Sequence, residues 1–352
     1  MHIPKDRMTP KERMTALATG KPVDRIPCLP IIGQTGAHLF GCTSKDFNLQ
    51  PKVMARVLGG IFEAAGPDNL NVGAGLQGLP DALGCTLSFP DAGAPIITAP
   101  GFTEYSEVSD MSPADPEKDG RLPGCLEVMG ALQKKYGEDV FVSVSIGGPF
   151  TSAALFTGTE RFLKDMVRRP EDAHSVLELM LQSLKNMADA VFSRGGAFSV
   201  SEPIASNTII SRERFQTFAQ PYLKRLTDYV YEKYKRALSI HICGKTKNIW
   251  RDIADAGFTS FSVDNVERIS EVAAEIGDRV VVVGNVPPVD VLLKGTVEDV
   301  FVASRQCIEE GKGSPKGYAL ASGCEIPPGV PLENLKALVD AARVYGANKD
   351  FA

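Results

Sequence analysis

The chain has 352 residues, enough to bury a large apolar core without disulfide or metal staples. With 38 Lys and Arg against 43 Asp and Glu it carries a net charge of −5, which argues against a binder of nucleic-acid phosphates with its basic stripe. No run reaches the ~18 apolar residues of a membrane span, the opening MHIPKDRMTPKERM lacks the apolar stretch of an export signal, and 7 scattered cysteines read as reduced thiols, so a cytoplasmic protein is expected.

The first element is a helix announced by Thr9-Pro10-Lys11-Glu12, with a capping Thr, a Pro at the first helical position and a Glu at the third. It should run to about Ala18 and stop near Gly20. An apolar run between Pro and Gly punctuation then predicts a buried strand over 26–32. Further strands are expected over 68–72, 140–146, 198–201, 238–243, 258–264, 280–286 and 318–324. Helical patterns fill most of the gaps, over 159–168, 171–194, 211–235, 247–256, 266–276, 296–310 and 331–345. Such alternation requires a parallel sheet with crossover helices. With eight strands, the simplest closure is an α/β fold of the (β/α)8 TIM-barrel type with an N-terminal helical extension. Length alone allows two domains, but 1–352 reads as one. The stretch 73–137 breaks the repeat. It reads as an irregular excursion between the second and third strands, with a hairpin (83–89 and 94–98) and a polar, Pro-rich run over 107–124.

Two phosphate-binding motifs fail. Gly73-Ala74-Gly75-Leu76-Gln77-Gly78 spells GxGxxG, but Pro80 and Gly84 leave no room for the helix whose N-terminus would meet a pyrophosphate. Gly244-Lys245-Thr246 looks like the end of a P-loop, yet Ser239 stands where the first glycine is required. No GxSxG elbow occurs, and His2, His38 and His174 read as surface histidines.

His241-Ile242-Cys243-Gly244 is different. Side chains alternate along a strand, so His241 and Cys243 share a face, at the strand end where barrels build their active sites. Cys324 reaches the same level at the end of the last strand. One imidazole and two thiolates make three zinc ligands with an open fourth position, the arrangement of catalytic sites. Two thiolates also cancel the charge of Zn²⁺, so an incoming thiol can bind and lose its proton. A cysteine is equally a small core residue, and spacing alone leaves both readings open. Asp264 ends the strand between the two cysteine-bearing ones. It is a candidate fourth ligand or a partner of His241 or the substrate, or else the N-cap of a helix from Val266. Glu202, before Pro203, carries a similar ambiguity. Gly147 and Gly148 end the third strand, where a backbone close to a ligand needs glycine but a tight loop does as well.

Glu12-Arg13 with Pro22-Val23-Asp24-Arg25-Ile26-Pro27 resembles the start of the uroporphyrinogen decarboxylase superfamily. So do 147–151, Glu202-Pro203 with Ser211 and Phe215, and Gly284-Asn285-Val286. The resemblance covers nearly the whole chain and implies a (β/α)8 barrel; it adds Asn285 to Gly147, Gly148 and Glu202 as candidate substrate-binding residues. HxCG together with Gly323-Cys324 resembles the zinc-dependent methyltransferase branch, including the methylcobamide:coenzyme M type. That implies Zn²⁺ on His241, Cys243 and Cys324, and methylcobalamin or a related corrinoid delivered by a separate corrinoid protein. The acceptor would be a small thiol or a tetrahydrofolate-type molecule. Related barrels often pair, so a homodimer is an open expectation. The decarboxylase branch carries an arginine-rich stretch just after the first strand, whereas 29–36 here contains no arginine. Burying several substrate carboxylates without cations would cost several kcal/mol each. Two alternatives to methyl transfer remain: a metal-free tetrapyrrole decarboxylase, and a non-catalytic corrinoid-binding carrier.

Overall fold

In the computed structural model, residues 2–348 and 351 are described. Seven parallel strands form one sheet: β1 (Leu70–Gly75), then, past a two-stranded antiparallel hairpin of β2 (Thr86–Ser88) and β3 (Ile96–Ala99), β4 (Val142–Gly147), β5 (Ala197–Ser201), β6 (Ser239–Ile242), β7 (Ser260–Val263), β8 (Val281–Val286) and β9 (Tyr318–Ser322). Their order in the sheet is β1-β4-β5-β6-β7-β8-β9, the order of the chain. Strand composition follows the two faces. Val142, Val144, Phe198, Val200, Phe261 and Val263 are buried, as expected of a face covered by crossover helices. The residues between them are small and polar, among them Ser143, Ser145, Ser199, Ser201 and Ser262. Serines in place of bulky branched side chains leave room over this face of the sheet.

The predicted strand over 26–32 is not one. Arg25 and Cys28 make isolated bridges only. Pro27 and Pro30 have no N–H to give, so a continuous ladder cannot form. The segment nonetheless links the two edges of the sheet. Leu29 N donates to Leu320 O (2.7 Å) and Leu320 N to Pro27 O (2.8 Å), while Asp68 N donates to Cys28 O (2.8 Å) just before β1.

The stretch 73–137 is also more regular than expected. Besides the hairpin it holds a five-residue helix, Gly78–Ala82, where Pro80 and Gly84 were expected to leave none, the short helix Tyr105–Val108 and the 15-residue helix Leu122–Tyr136. The last packs on β1 and β4 and is the crossover between them, not an excursion. Gly73 has a packing reason: a Cβ there would lie 2.3 Å from the carbonyl of Ser145 on the neighbouring strand. Among the described residues three further α-helices were not foreseen, Ser44–Leu49, Pro51–Ala65 and Pro149–Thr157, nor was the 3-10 helix Gln34–Phe40. The single helix expected over 211–235 is interrupted by a π-helical turn, Phe215–Ala219, just ahead of Pro221, whose missing N–H breaks the regular ladder.

Helix Pro10–Ala18 carries the anticipated capping box, Glu12 N donating to Thr9 Oγ1 (3.2 Å) and Thr9 N to the Glu12 carboxylate (2.8 Å). Its Arg13 is fully buried. Nε and Nη2 of Arg13 donate to the two oxygens of Asp24 (2.6 and 2.8 Å), and Nη1 reaches Asp68. Arg25 spans Asp68 (2.6 Å) and Asp6 (2.6 Å), and Arg343 of the last helix adds a third cation on Asp6 (3.1 Å). Asp68 also accepts the N–H of Cys28 (2.7 Å). The network therefore ties the first helix, the 24–28 segment, the start of β1 and the last helix together.

Removing one partner of a buried pair leaves an uncompensated charge, so Arg13→Met is expected to cost about 3–5 kcal/mol, measured by urea denaturation at pH 7. Burial pushes the Asp24 carboxyl up, but Arg13 and the N–H groups of Arg7 and Met8 outweigh it and hold its pKa at about 2. A depressed carboxylate stabilises above its unfolded pKa and loses that contribution as pH falls through the folded one. The gap between wild type and Arg13→Met is therefore expected to shrink between about pH 4 and pH 2.

Candidate metal centre

Parallel register sets the site. His241 on β6 lies level with Ser201 on β5 and Ser262 on β7. Its Nδ1 is 3.0 Å from Ser262 Oγ, and its Nε2 is 2.9 Å from Cys243 Sγ. Coordination through Nε2 requires the proton on Nδ1, so Ser262 accepts it and fixes the tautomer. Beyond Cys243 the chain turns at Gly244, with φ +80°, and a Cβ there would lie 2.6 Å from Thr208 Oγ1. Both facts demand glycine. Cys324 follows β9, and Gly323 before it is required too, because a Cβ would sit 2.5 Å from the backbone N of Asn265. The glycines of both motifs let the cysteine-bearing backbone pass close to its neighbours.

His241, Cys243 and Cys324 come together, with ligand atoms all within 4.8 Å of one another. Tetrahedral bonds of ~2.0 Å to nitrogen and ~2.3 Å to sulfur place donors roughly 3.5–3.8 Å apart, so small side-chain shifts would close this set on one ion. Thiolate and imidazole donors suit a soft or borderline divalent metal. The thiols already behave as a pair. The neighbouring Cys243 thiol pulls the Cys324 pKa down, helped by His241 against the opposing effect of burial. Cys243 is pushed up by the same contact, by burial and by the charge on Cys324.

The cluster opens into a cavity of about 240 Å³ whose wall includes Glu325 and the apolar side chains of Ile31, Ile32, Phe47, Leu76 and Ile146. Glu325 lines the cavity and its side chain is open to solvent there, while the protein crowded around it, followed by the Cys324 charge, pushes its carboxyl up from the ordinary range. Asn71, Gln77, Ser145 and Ser201 supply the neutral polar groups, with Gln34 from the loop after 27–31.

Other predicted site residues take different places. Asp264 does not join the ligand cluster: its carboxylate accepts from Gly244 N (2.7 Å) and Val266 N (3.0 Å). It braces the turn after Cys243. It is not a helix N-cap, since the helix begins only at Ile269. Glu202 is fully buried and absent from the cavity wall. It accepts from the N–H groups of Phe150 (2.9 Å) and Thr151 (2.7 Å), at the N-terminus of helix Pro149–Thr157. Burial raises its pKa to about 7 despite these bonds. Gly148 makes room for it, a Cβ there falling 2.3 Å from Glu202 Oε1, and Gly147 packs against the carbonyl of Leu76. Asn285 donates to the carbonyls of Asp264 (2.9 Å) and Glu267 (2.7 Å). Gly147, Gly148, Glu202 and Asn285 thus support the walls from behind. Nor is His174 a free surface group: it stacks on Phe218 with centroids 4.7 Å apart. His38 is exposed, with its ring nitrogens against the carbonyls of Thr35 and Val330.

Sequence reasoning missed Ser262 and Glu325. Glu325 had a signal in its place next to Cys324; Ser262 had none, because only strand register sets it beside His241.

The sequence fits the Uroporphyrinogen decarboxylase (URO-D) family over residues 9–345. The chain belongs to the uroporphyrinogen decarboxylase family. It is 29% identical to "Methylcobamide:CoM methyltransferase MtaA" of Methanosarcina barkeri over 96% of this chain and 99% of that one. It is 26% identical to a "Methylated-thiol--coenzyme M methyltransferase" of Methanosarcina mazei, covering 96% of this chain and 89% of the other. Among solved structures, a "methyltransferase from Methanosarcina mazei" superposes with a TM-score of 0.87 at 27% identity, over 96% of this chain and 98% of that one. In this member of the uroporphyrinogen decarboxylase family, the arginine-free stretch 29–36 supplies Ile31, Ile32, Gly33 and Gln34 to the cavity wall.

If Ser262 orients the imidazole, Ser262→Ala should weaken Zn²⁺ binding by about 10-fold or more, read by chelator competition, without altering the protein's urea midpoint appreciably.

Proposed function

We propose that this chain is a zinc-dependent methyltransferase. It would move a methyl group between a methylcorrinoid, carried on a separate corrinoid protein, and a small thiol. The observation that carries the reading is the His241, Cys243 and Cys324 cluster opening into a cavity; the similarity to a methylcobamide:CoM methyltransferase over 96% of the chain supports it. Three protein ligands leave one position for substrate.

Zinc bound there supplies Lewis acidity that lets a thiol lose its proton near neutral pH. The chain's residues do the rest. His241 and the two thiolates offset the ion's charge, and Ser262 and the Asp264-braced turn keep the donors in position. Glu325 is the carboxyl of the wall and takes the proton that the thiol gives up. The sulfur then attacks the methyl carbon; the new S–C bond forms as the C–Co bond breaks, and its electron pair stays on cobalt as Co(I). A cavity of about 240 Å³ is smaller than the ~300–1,000 Å³ usual for larger ligands, which favours a small thiol over a tetrahydrofolate.

The metal-free decarboxylase reading loses support at the same wall. Among the described residues no arginine or lysine lines it, so a tetrapyrrole with several carboxylates would be buried unpaired. The hydrogen bonds of 27–31 to both sheet edges support reading the fold as a (β/α)8 barrel whose eighth stave is this proline-interrupted segment. Seven free cysteines among the described residues fit a reducing, cytoplasmic setting.

The purified protein is expected to hold about one zinc per chain and to demethylate methylcobalamin in the presence of a small thiol. Cys324→Ala should lose both. No zinc after reconstitution under reducing conditions would overturn the mechanism.

A further inference from the structure

The wall facing the metal cluster reads charge. Among the described residues it has no arginine or lysine, and its polar groups are the neutral amides and hydroxyls of Gln34, Asn71, Gln77, Ser145 and Ser201, with Glu325 as its carboxyl. Arg121 lies behind the wall and is already committed: Nε pairs with Asp81 (2.9 Å) and Nη1 donates to Asn48 Oδ1 (2.8 Å). Asn48 in turn donates to Gln34 Oε1 (2.7 Å). That relay occupies the oxygen of the Gln34 amide and leaves its NH₂ as the group open to a ligand. Lys245, just past Gly244, is exposed and does not line the cavity. With zinc neutralised by two thiolates, nothing in the cavity offers a positive charge.

An anionic group entering such a site would shed its water and meet no cation, and the unpaired charge would count heavily against binding. A hydroxyl or carbonyl would find the Gln34 NH₂ and the serine hydroxyls, and an ammonium would find Glu325. Resting on the methyl-transfer reading, we infer that the acceptor is a small thiol whose far end is uncharged or cationic, not a sulfonate or carboxylate.

The test compares 2-mercaptoethanol, cysteamine, 2-mercaptoethanesulfonate and 3-mercaptopropionate on the zinc-loaded full-length protein. Their dissociation constants are measured by titration calorimetry, and their kcat/KM for demethylation of methylcobalamin at one pH. The neutral and cationic thiols are expected to bind at least 10-fold more tightly than the two anionic ones. In Gln77→Arg, which places a cation on the wall, the sulfonate thiol should gain at least 10-fold relative to 2-mercaptoethanol. Equal or tighter binding of the anionic thiols by the wild type would overturn the inference, as would an unchanged ratio in a folded Gln77→Arg. Turnover with the sulfonate preferred would sink the acceptor class and leave methyl transfer standing. The expected binding order without any turnover would do the reverse.

Discussion

The ring of buried charges around Arg13 is the constraint on which the rest of the molecule depends. Two prolines deny the 26–32 segment a regular ladder, so something other than strand pairing must hold it between the sheet edges. Asp68 does so, accepting from Arg13, Arg25 and the Cys28 N–H at once. Its carboxylate is almost wholly inaccessible to water, and two guanidinium groups make that burial tolerable. The consequences travel up the segment. Ile31 N donates to Ser322 Oγ (3.1 Å) and Ile326 N donates to Ile31 O (2.8 Å), so the same stretch brackets Cys324 from both sides. An ionic cluster at one end of the strands thereby positions a thiol at the other.

Above that base, side-chain size on the inner face makes the site possible. Serines on β4, β5 and β7 leave volume that branched residues would have filled, while the apolar outer residues supply the packing under the helices. The ligands then need backbone passing very near backbone, which Gly244 and Gly323 allow. Around the turn after Cys243 the donors are braced from several directions: Asp264 holds Gly244, Glu267 accepts from Thr246 and Lys247, and Asn285 holds the 264–267 loop. Asp264 and Glu202, which looked like candidates for chemistry, are spent on backbone N–H groups.

One fold can serve different reactions because function lives in the residues of the site and not in the fold. In this chain the loop after 27–31 presents isoleucines and a glutamine to the cavity, and the candidate metal ligands sit at the ends of β6 and β9.

What the sequence determined by itself was local. Short apolar and β-rich runs located seven strands to within a few residues, the capping box marked the first helix, and HxCG with GC named the three residues that meet. Each of these rests on neighbours along the chain, which sequence displays directly. The prolines at 27 and 30 were equally visible, but an apolar run reads as a strand until the edges it must pair with are known. Helix Pro51–Ala65 carries Gly59 and Gly60, which weaken its intrinsic preference. It forms because packing rewards it: a Cβ on Gly59 would collide with Tyr136 of the facing helix. Only tertiary structure decided that Ser262 sits beside His241, that Glu202 turns away from the cavity, and that among the described residues no arginine or lysine lines it. Those outcomes depend on strand register and on distances between segments far apart in sequence, and residue spacing along the chain does not encode them.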